Sequence, residues 1–234
     1  MLRITQEKEI DGAVLSESKP GISKVKPPQE YPPEEGRYLR GNDYSPVAVV
    51  VLLNAPYEKI PSEVEGLVRV AVETGAALAG TLQTANIGLE KVVANVVANP
   101  NIRYLVLCGR EVEGHKTGDA LTALIKNGVD AKRIIIGTNA PTAYLFNIPL
   151  RVIERFRKQI TLINLLNVVD PETNRKAVWS CYQEEPTKFM DYTLYDIGAY
   201  PEPAICCKIT LRIKKPETIE EWEIDEEFVK KLEG

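Results

Sequence analysis

Residues 104–130 read YLVLCGREVEGHKTGDALTALIKNGVD, and this stretch decides the fold. The run Tyr104–Cys108 is apolar and of strand length. A loop punctuated by Gly109, Gly114 and Gly118 follows. From about Gly118 to Lys126 the apolar residues Leu121, Leu124 and Ile125 recur at helical spacing, and Asn127-Gly128 ends the run. Strand, glycine loop and helix in that order form the unit of an α/β sheet.

The unit recurs outward in both directions. VAVVVLL, from Val47, is a continuous β-branched run suited to a strand buried on both faces, hence to a parallel sheet covered on both sides. Behind Pro61, Ser62 and Glu65 have capping-box spacing, and Val64, Leu67, Val68, Ala71 and Val72 follow a helical period. Glu90 opens a second helical stretch that Asn99-Pro100 stops. Toward the C-terminus we expect a strand over Arg133–Ile136, a helix after Pro149 with Val152, Ile153 and Phe156 inside, and a strand around Ile160–Leu165. The expected fold is α/β: a Rossmann-like, doubly wound, mostly parallel sheet with helices on both faces. Ligands of such sheets bind beyond the carboxyl ends of the strands. The loops TLQTANIG (81–88), REVEGHKTG (110–118) and GTNAPT (137–142) are therefore expected to share one mouth.

Three regions follow from texture. Residues 1–45 carry Pro20, Pro27, Pro28, Pro32 and Pro33 among charges and are expected to form an arm. Residues 46–170 form the α/β domain. Residues 171–234 are expected to be a small α+β extension packed on the core, with strands over 176–183, 187–195 and the alternating 205–213, and an acidic helix over Asp225–Leu232.

Composition excludes several classes. The net charge is −4, and no Lys/Arg run with interleaved aromatics occurs, so nucleic acid is not an expected partner. The longest apolar run is Val47–Leu53, far below the roughly 20 residues of a membrane helix. MLRITQEKEIDG lacks an apolar signal region, so a cytoplasmic, soluble chain is expected. The four cysteines show no C-x-x-C spacing and read as reduced packing residues. No G-x-S-x-G, G-x-x-x-x-G-K-[ST] or G-x-G-x-x-G element marks a hydrolase elbow, a P-loop or a dinucleotide fingerprint.

The chain holds one histidine, His115. One imidazole is too few for a zinc or non-haem iron site, which needs three or more protein ligands. It suffices for a metal that arrives in a macrocycle and needs one axial ligand. Gly114 and Gly118 leave room on either side for a broad ligand, Thr117 is placed to cap the following helix, and Glu113 or a backbone carbonyl is placed to orient the ring. The plainer alternative is a surface loop histidine.

The run from Thr84 to Asp130, with its E-G-H-K-T-G element, closely resembles the MtrA family of tetrahydromethanopterin S-methyltransferase subunits. The resemblance begins near Val47 and reaches RFRKQITLINLLNVVD, ending at about Asp170. It implies a corrinoid cofactor, cobalamin or 5-hydroxybenzimidazolyl cobamide, with His115 as axial ligand to cobalt. It implies an archaeal one-carbon activity in which a methyl group passes from a methyl-tetrahydropterin donor to a thiol acceptor through partner methyltransferase subunits. The shared mouth of the three loops and this resemblance together give the expected cofactor-binding positions Thr84, Asn86, Gly88, Gly109, Gly114, His115, Thr117, Gly118, Gly137 and Thr138. The family's Lys and Glu in its K-T-E-N-x-G loop are replaced by Gln83 and Ala85, and no membrane helix follows the core. Two other readings stand beside the methyl carrier: a stand-alone pterin- or folate-linked enzyme, and a structural or regulatory paralogue without a cofactor.

Overall fold

A computed structural model describes residues 21–56 and 59–209. Its centre is a five-stranded sheet in the spatial order β1-β3-β2-β4-β5. The strands are β1 (Tyr38–Arg40), β2 (Val47–Leu52), β3 (Leu78–Leu82), β4 (Tyr104–Gly109) and β5 (Thr161–Leu166). β2, β3, β4 and β5 run parallel, and β1 joins β3 antiparallel at one edge. Every residue of β2 and β4 is buried, as their unbroken apolar sequences require of central strands.

Helices cover both faces. α1 (Ser62–Glu73) and α5 (Pro171–Ser180) lie over the face that presents Val47, Val49, Val51, Val106 and Cys108. The opposite face presents Ala48, Val50, Leu52, Leu105 and Leu107. It is covered by α2 (Ile87–Val97), α3 (Thr117–Asn127) and α4 (Leu150–Gln159). A short hairpin, β6 (Thr187–Phe189) and β7 (Tyr192–Leu194), turns at Met190, whose φ is +50°. With α5 it forms the small C-terminal α+β element.

The connections leave β2 and β4 toward opposite faces, to α1 and to α3. The carboxyl ends of these adjacent strands therefore flank a switch point, the place where open α/β sheets form a crevice.

Several local expectations are corrected. β3 is a strand although LAGTL has a single β-branched residue and an Ala-Gly pair at its centre; its neighbours β1 and β2 supply the pairing. Thr81 and Leu82 therefore belong to the sheet, and the loop proper starts at Gln83. α2 begins at Ile87 rather than Glu90, because the Asn86 side chain accepts from the Ile87 N–H. The Ser62 box does not form: Pro61 caps α1, and its carbonyl accepts from Val64 and Glu65. Arg133–Ile136 is no sheet strand. The Asp130 carboxylate accepts from the Lys132 and Ile134 N–H groups, Arg133 takes φ +63°, and only isolated bridges to Val129 and Tyr144 remain. The sheet position beside β4 belongs to β5. Residues 176–180 are helical, because Asp170 caps the segment and Pro171 starts it.

Among the described residues of 205–213 there is no paired strand, yet the alternation survives as packing. Ile205, Cys207 and Ile209 face the α2 side of the core, and the Ile205 N–H donates to Val97 O at 3.0 Å. The remainder of that run and Asp225–Leu232 lie outside the described residues. Cys108 and Cys181 are buried free thiols, and burial pushes Cys108 up to about 12.

β5 forms the edge of the sheet opposite β1. The Thr161 N–H points inward to Arg103 O at 2.8 Å, so alternation sends the N–H groups of 162, 164 and 166 outward. The Asn164 N–H donates to the Tyr192 hydroxyl at 2.8 Å, and the Leu166 N–H donates to Asn164 Oδ1 at 3.0 Å.

Candidate functional site

The loop after β4 has a pinned part and a free part. Gly109 ends the strand at φ +90°, and a side chain there would meet the Leu52 backbone N at 2.9 Å. Only glycine lets the ends of β2 and β4 approach this closely. Glu111 follows, and its carboxylate holds the loop. Oε1 accepts from the N–H groups of Val112 at 2.8 Å and Gly118 at 2.9 Å, and Oε2 accepts from Asp119 at 2.9 Å. The Glu111 N–H itself donates to Asn167 Oδ1 at 3.0 Å, across from β5. An acidic side chain at the start of α3 satisfies two of its orphan donors and opposes its positive end.

Thr117 therefore does not cap its helix. It is fully buried, and its hydroxyl donates to Gln83 O at 2.9 Å. That bond ties the loop after β4 to the loop after β3, over the end of β2. Gly118 is needed for packing: a Cβ there would stand 2.6 Å from Leu166 Cδ1 and 2.8 Å from Leu52 Cδ1.

Between these anchors the chain turns outward. Glu113, Gly114, His115 and Lys116 are all exposed. Gly114 (φ +78°) and Lys116 (φ +47°) take left-handed conformations, and the N–H groups of His115 and Lys116 both donate to Val112 O. A side chain at Gly114 would meet nothing within 4 Å. The His115 imidazole stands at the carboxyl edge of the sheet, and among the described residues no hydrogen bond or ion pair engages it.

The other two loops converge on the start of α3. In the first, Thr84 Oγ1 accepts from the Gly88 N–H at 3.0 Å, and Asn86 Oδ1 accepts from Ile87. Asn86 Nδ2 donates to the Tyr144 hydroxyl at 3.2 Å. Thr84 and Asn86 thus cap the first turn of α2, and Gly88 is one of the residues they cap. In the third loop, the Thr138 hydroxyl and the Asn139 N–H both donate to Asp119 Oδ2 at 2.7 Å. Gly137 lies further along α3, beside Asn127. Of the residues singled out by sequence, Thr84, Asn86, Gly88, Gly109, Thr117 and Gly118 form a scaffold, Thr138 docks on Asp119, and Gly114 and His115 form the exposed tip.

Sequence reasoning missed Glu111, Asn167, Asp119 and Gln83, which carry the hydrogen bonds that hold the loops together. For Glu111 the one available signal is an acidic residue shortly before a helix start, and by sequence the cap falls to Thr117 instead. A cavity of about 230 Å³ opens beside the first loop, between α2 and the β1-β3-β2 part of the sheet. Among the described residues there is no cluster of three or more histidine, cysteine or acidic side chains, and no helix is long and apolar enough to cross a membrane.

Residues 24–197 match the family model MtrA, which describes the A-type subunits of tetrahydromethanopterin S-methyltransferase. The match is wider than the stretch from Val47 to Asp170. It takes in β1 before it and α5 and the hairpin after it. The MtrA protein of that enzyme numbered 1 in Methanothermobacter marburgensis is 40% identical over 189 residues, covering 80% of this chain and 70% of that protein. The one numbered 2 in Methanothermobacter thermautotrophicus is 39% identical over 189 residues, covering 80% of this chain and 91% of that one. The corresponding protein of Methanosphaera stadtmanae is 37% identical over 199 residues, covering 85% of this chain and 69% of that one. With the family model spanning three quarters of the chain and relatives near 40% identity, this chain belongs to the MtrA family of tetrahydromethanopterin S-methyltransferase subunits.

Proposed function

We propose that this chain is a corrinoid-binding methyl carrier in which His115 is the axial ligand to cobalt. The carrying observation is an exposed imidazole, without a partner among the described residues, at the tip of a turn whose two ends are pinned beside the switch point of the sheet. A metal held by protein side chains alone needs several of them, whereas a corrinoid asks for one. The residues present fit that demand. When bound, a corrinoid supplies a cobalt centre able to accept and release a methyl group.

The chain's own residues then have definite tasks. His115 would offer one ring nitrogen to the metal and keep the other N–H for a hydrogen bond. Gly114 lets the turn adopt its left-handed step and adds no bulk next to the ring. Glu111 and Thr117 fix the two ends of the turn, so the imidazole is presented from a rigid base. In this reading residues 46–170 form the cofactor-binding domain, and the described residues 171–209 pack against it. The methyl donor is a methyl-tetrahydropterin and the acceptor a thiol, each brought by partner methyltransferase subunits, in the cytoplasm. The family membership supports this assignment, since the relatives are named as subunits of such a methyltransferase.

The test is incubation of the full chain with aquocobalamin, gel filtration and an absorbance scan. We expect the corrinoid spectrum to travel with the protein, and its bands to differ between wild type and His115→Ala. A colourless protein peak, or identical spectra and affinities in the two proteins, overturns the assignment.

A further inference from the structure

We propose that the outer face of the segment pair 133–136 and 143–146 is the docking surface for the protein that delivers the methyl group, a partner whose contact face is apolar at its centre and acidic at its rim. This rests on the carrier reading above and adds to it the place where that partner sits.

The two segments run antiparallel. The Leu145 N–H donates to Arg133 O and the Ile135 N–H to Ala143 O, both at 2.9 Å, which sets Ile134 opposite Tyr144. Alternation then divides the side chains. Ile135, Ala143 and Leu145 belong to the core on the α2 side of the sheet. Ile134, Ile136 and Phe146 stay 44%, 47% and 48% exposed. The half-buried Tyr144 stacks its ring on that of Phe146, with centroids 4.3 Å apart. Opposed residues on one face of an antiparallel pair have Cβ atoms about 5 Å apart, so these four side chains form one patch. Folding gains nothing from leaving three large apolar side chains half in water, and apolar surface gathered in this way marks a site of association.

The charges beside the patch select the partner. Residues 126–151 hold Lys126, Lys132, Arg133 and Arg151 against one acid, Asp130, in a chain whose net charge is −4. The Asp130 carboxylate is already engaged by the N–H groups of Lys132 and Ile134. Lys132 and Arg133 adjoin Ile134 in the chain, and the Arg133 guanidinium donates to Phe146 O at 2.7 Å. Lys126 precedes Asn127, whose side-chain amide donates to Ile136 O at 2.8 Å. An aromatic and aliphatic centre with arginine and a polar rim is the make-up of a protein interface. A second copy of this chain, docked through the same face, would set like charges against one another, whereas a rim of carboxylates is attracted.

Position suits the same partner. Asn86 Nδ2 donates to the Tyr144 hydroxyl at 3.2 Å, and Asp119 Oδ2 accepts from Thr138 and Asn139 at 2.7 Å. These bonds tie residues 138–144 to the start of α2 and to the start of α3, and α3 begins two residues after His115. A protein seated on the patch is a neighbour of the exposed turn, where the methyl group has to be handed over.

The experiment is calorimetric titration of the purified partner methyltransferase subunit into the full chain without corrinoid, for wild type, Phe146→Asp, Ile134→Asp and Lys132→Glu. Wild type is expected to bind, with an affinity that falls as salt rises. Phe146→Asp and Ile134→Asp should each weaken binding by about tenfold or more, the scale of a central interface residue. Lys132→Glu should slow association and flatten the salt dependence. Phe146→Ala carries the test if the aspartate variants do not fold. All folded variants should take up aquocobalamin with the wild-type spectrum. A subunit that does not bind wild type, an affinity indifferent to salt, or full affinity in a folded Phe146 variant overturns the proposal. So does a dimer of the full chain that Phe146→Asp splits, which gives the face to a second copy. Co-sedimentation of wild type with phosphatidylglycerol vesicles that Phe146→Asp abolishes gives it to a lipid surface and overturns the proposal too. The corrinoid reading is judged separately, by aquocobalamin uptake and the spectrum of His115→Ala, so the two fail independently.

Discussion

Two parts of one loop behave in opposite ways. Residues 109–112 and 117–119 are locked: Gly109 touches backbone, Glu111 receives three N–H groups, and Thr117 and Gly118 are buried. Residues 113–116 are exposed and make one turn held by Val112 O. The lesson is a division of labour within one short loop. The anchors serve the fold and fix where the tip begins and ends; the tip is exposed, and in the proposed reading its imidazole is kept for a ligand.

Substitutions should separate the two parts in a definite order. The largest effect is expected at Gly109→Val. Its backbone conformation is strained for a branched side chain, and its Cβ would press on the Leu52 N and O. Together these should cost about 3 kcal/mol or more, read as the loss of unfolding free energy in urea. A cost below about 1 kcal/mol would break the comparison on its locked side.

Glu111→Ala comes next. It strips acceptors from the N–H groups of Val112, Gly118 and Asp119, and should cost about 2 kcal/mol. Glu111→Gln keeps an oxygen acceptor, and half the loss should return. If the two variants melt together, the carboxylate is not the clamp. Because the anchors hold the tip, Glu111→Ala should also weaken corrinoid binding with His115 in place.

The smallest stability effect belongs to His115→Ala. An exposed side chain with no partner among the described residues should move unfolding by no more than about 0.5 kcal/mol. Corrinoid affinity should fall by about tenfold or more. A large loss of stability at His115 would mean that the tip is part of the frame after all.

Much of this frame was legible in the residues, for physical reasons. VAVVVL and YLVLCG are buried on both faces, so their apolar runs are unbroken and unmistakable. β3 was hidden because LAGTL has almost no β-branched content; its state is set by pairing on both sides, which a single segment does not record. Arg133–Ile136 misled in the opposite way. Three isoleucines gave strand propensity, and Asp130 folded the backbone into a turn instead. At the site, His115 and the glycines stood out by type. The clamp did not, because a glutamate reaching forward seven residues to a helix start leaves no periodic trace. Residues 171–180 gave no warning of a helix beyond Asp170-Pro171, and with it the extent of the family match was underread.

One feature at the far edge of the sheet bears on how partners meet this protein. A bare outer strand is a template on which another chain can add its own. β5 denies that at two of its three outward donors: Tyr192 reaches over from the hairpin to take one, and Asn164 turns its own amide back to take another. A visiting strand would find those donors already committed, so ladder-style association through this edge is blocked at little cost to the fold. At this edge, then, the sheet is finished by its own side chains, one reaching over from the hairpin and one turned back along the strand.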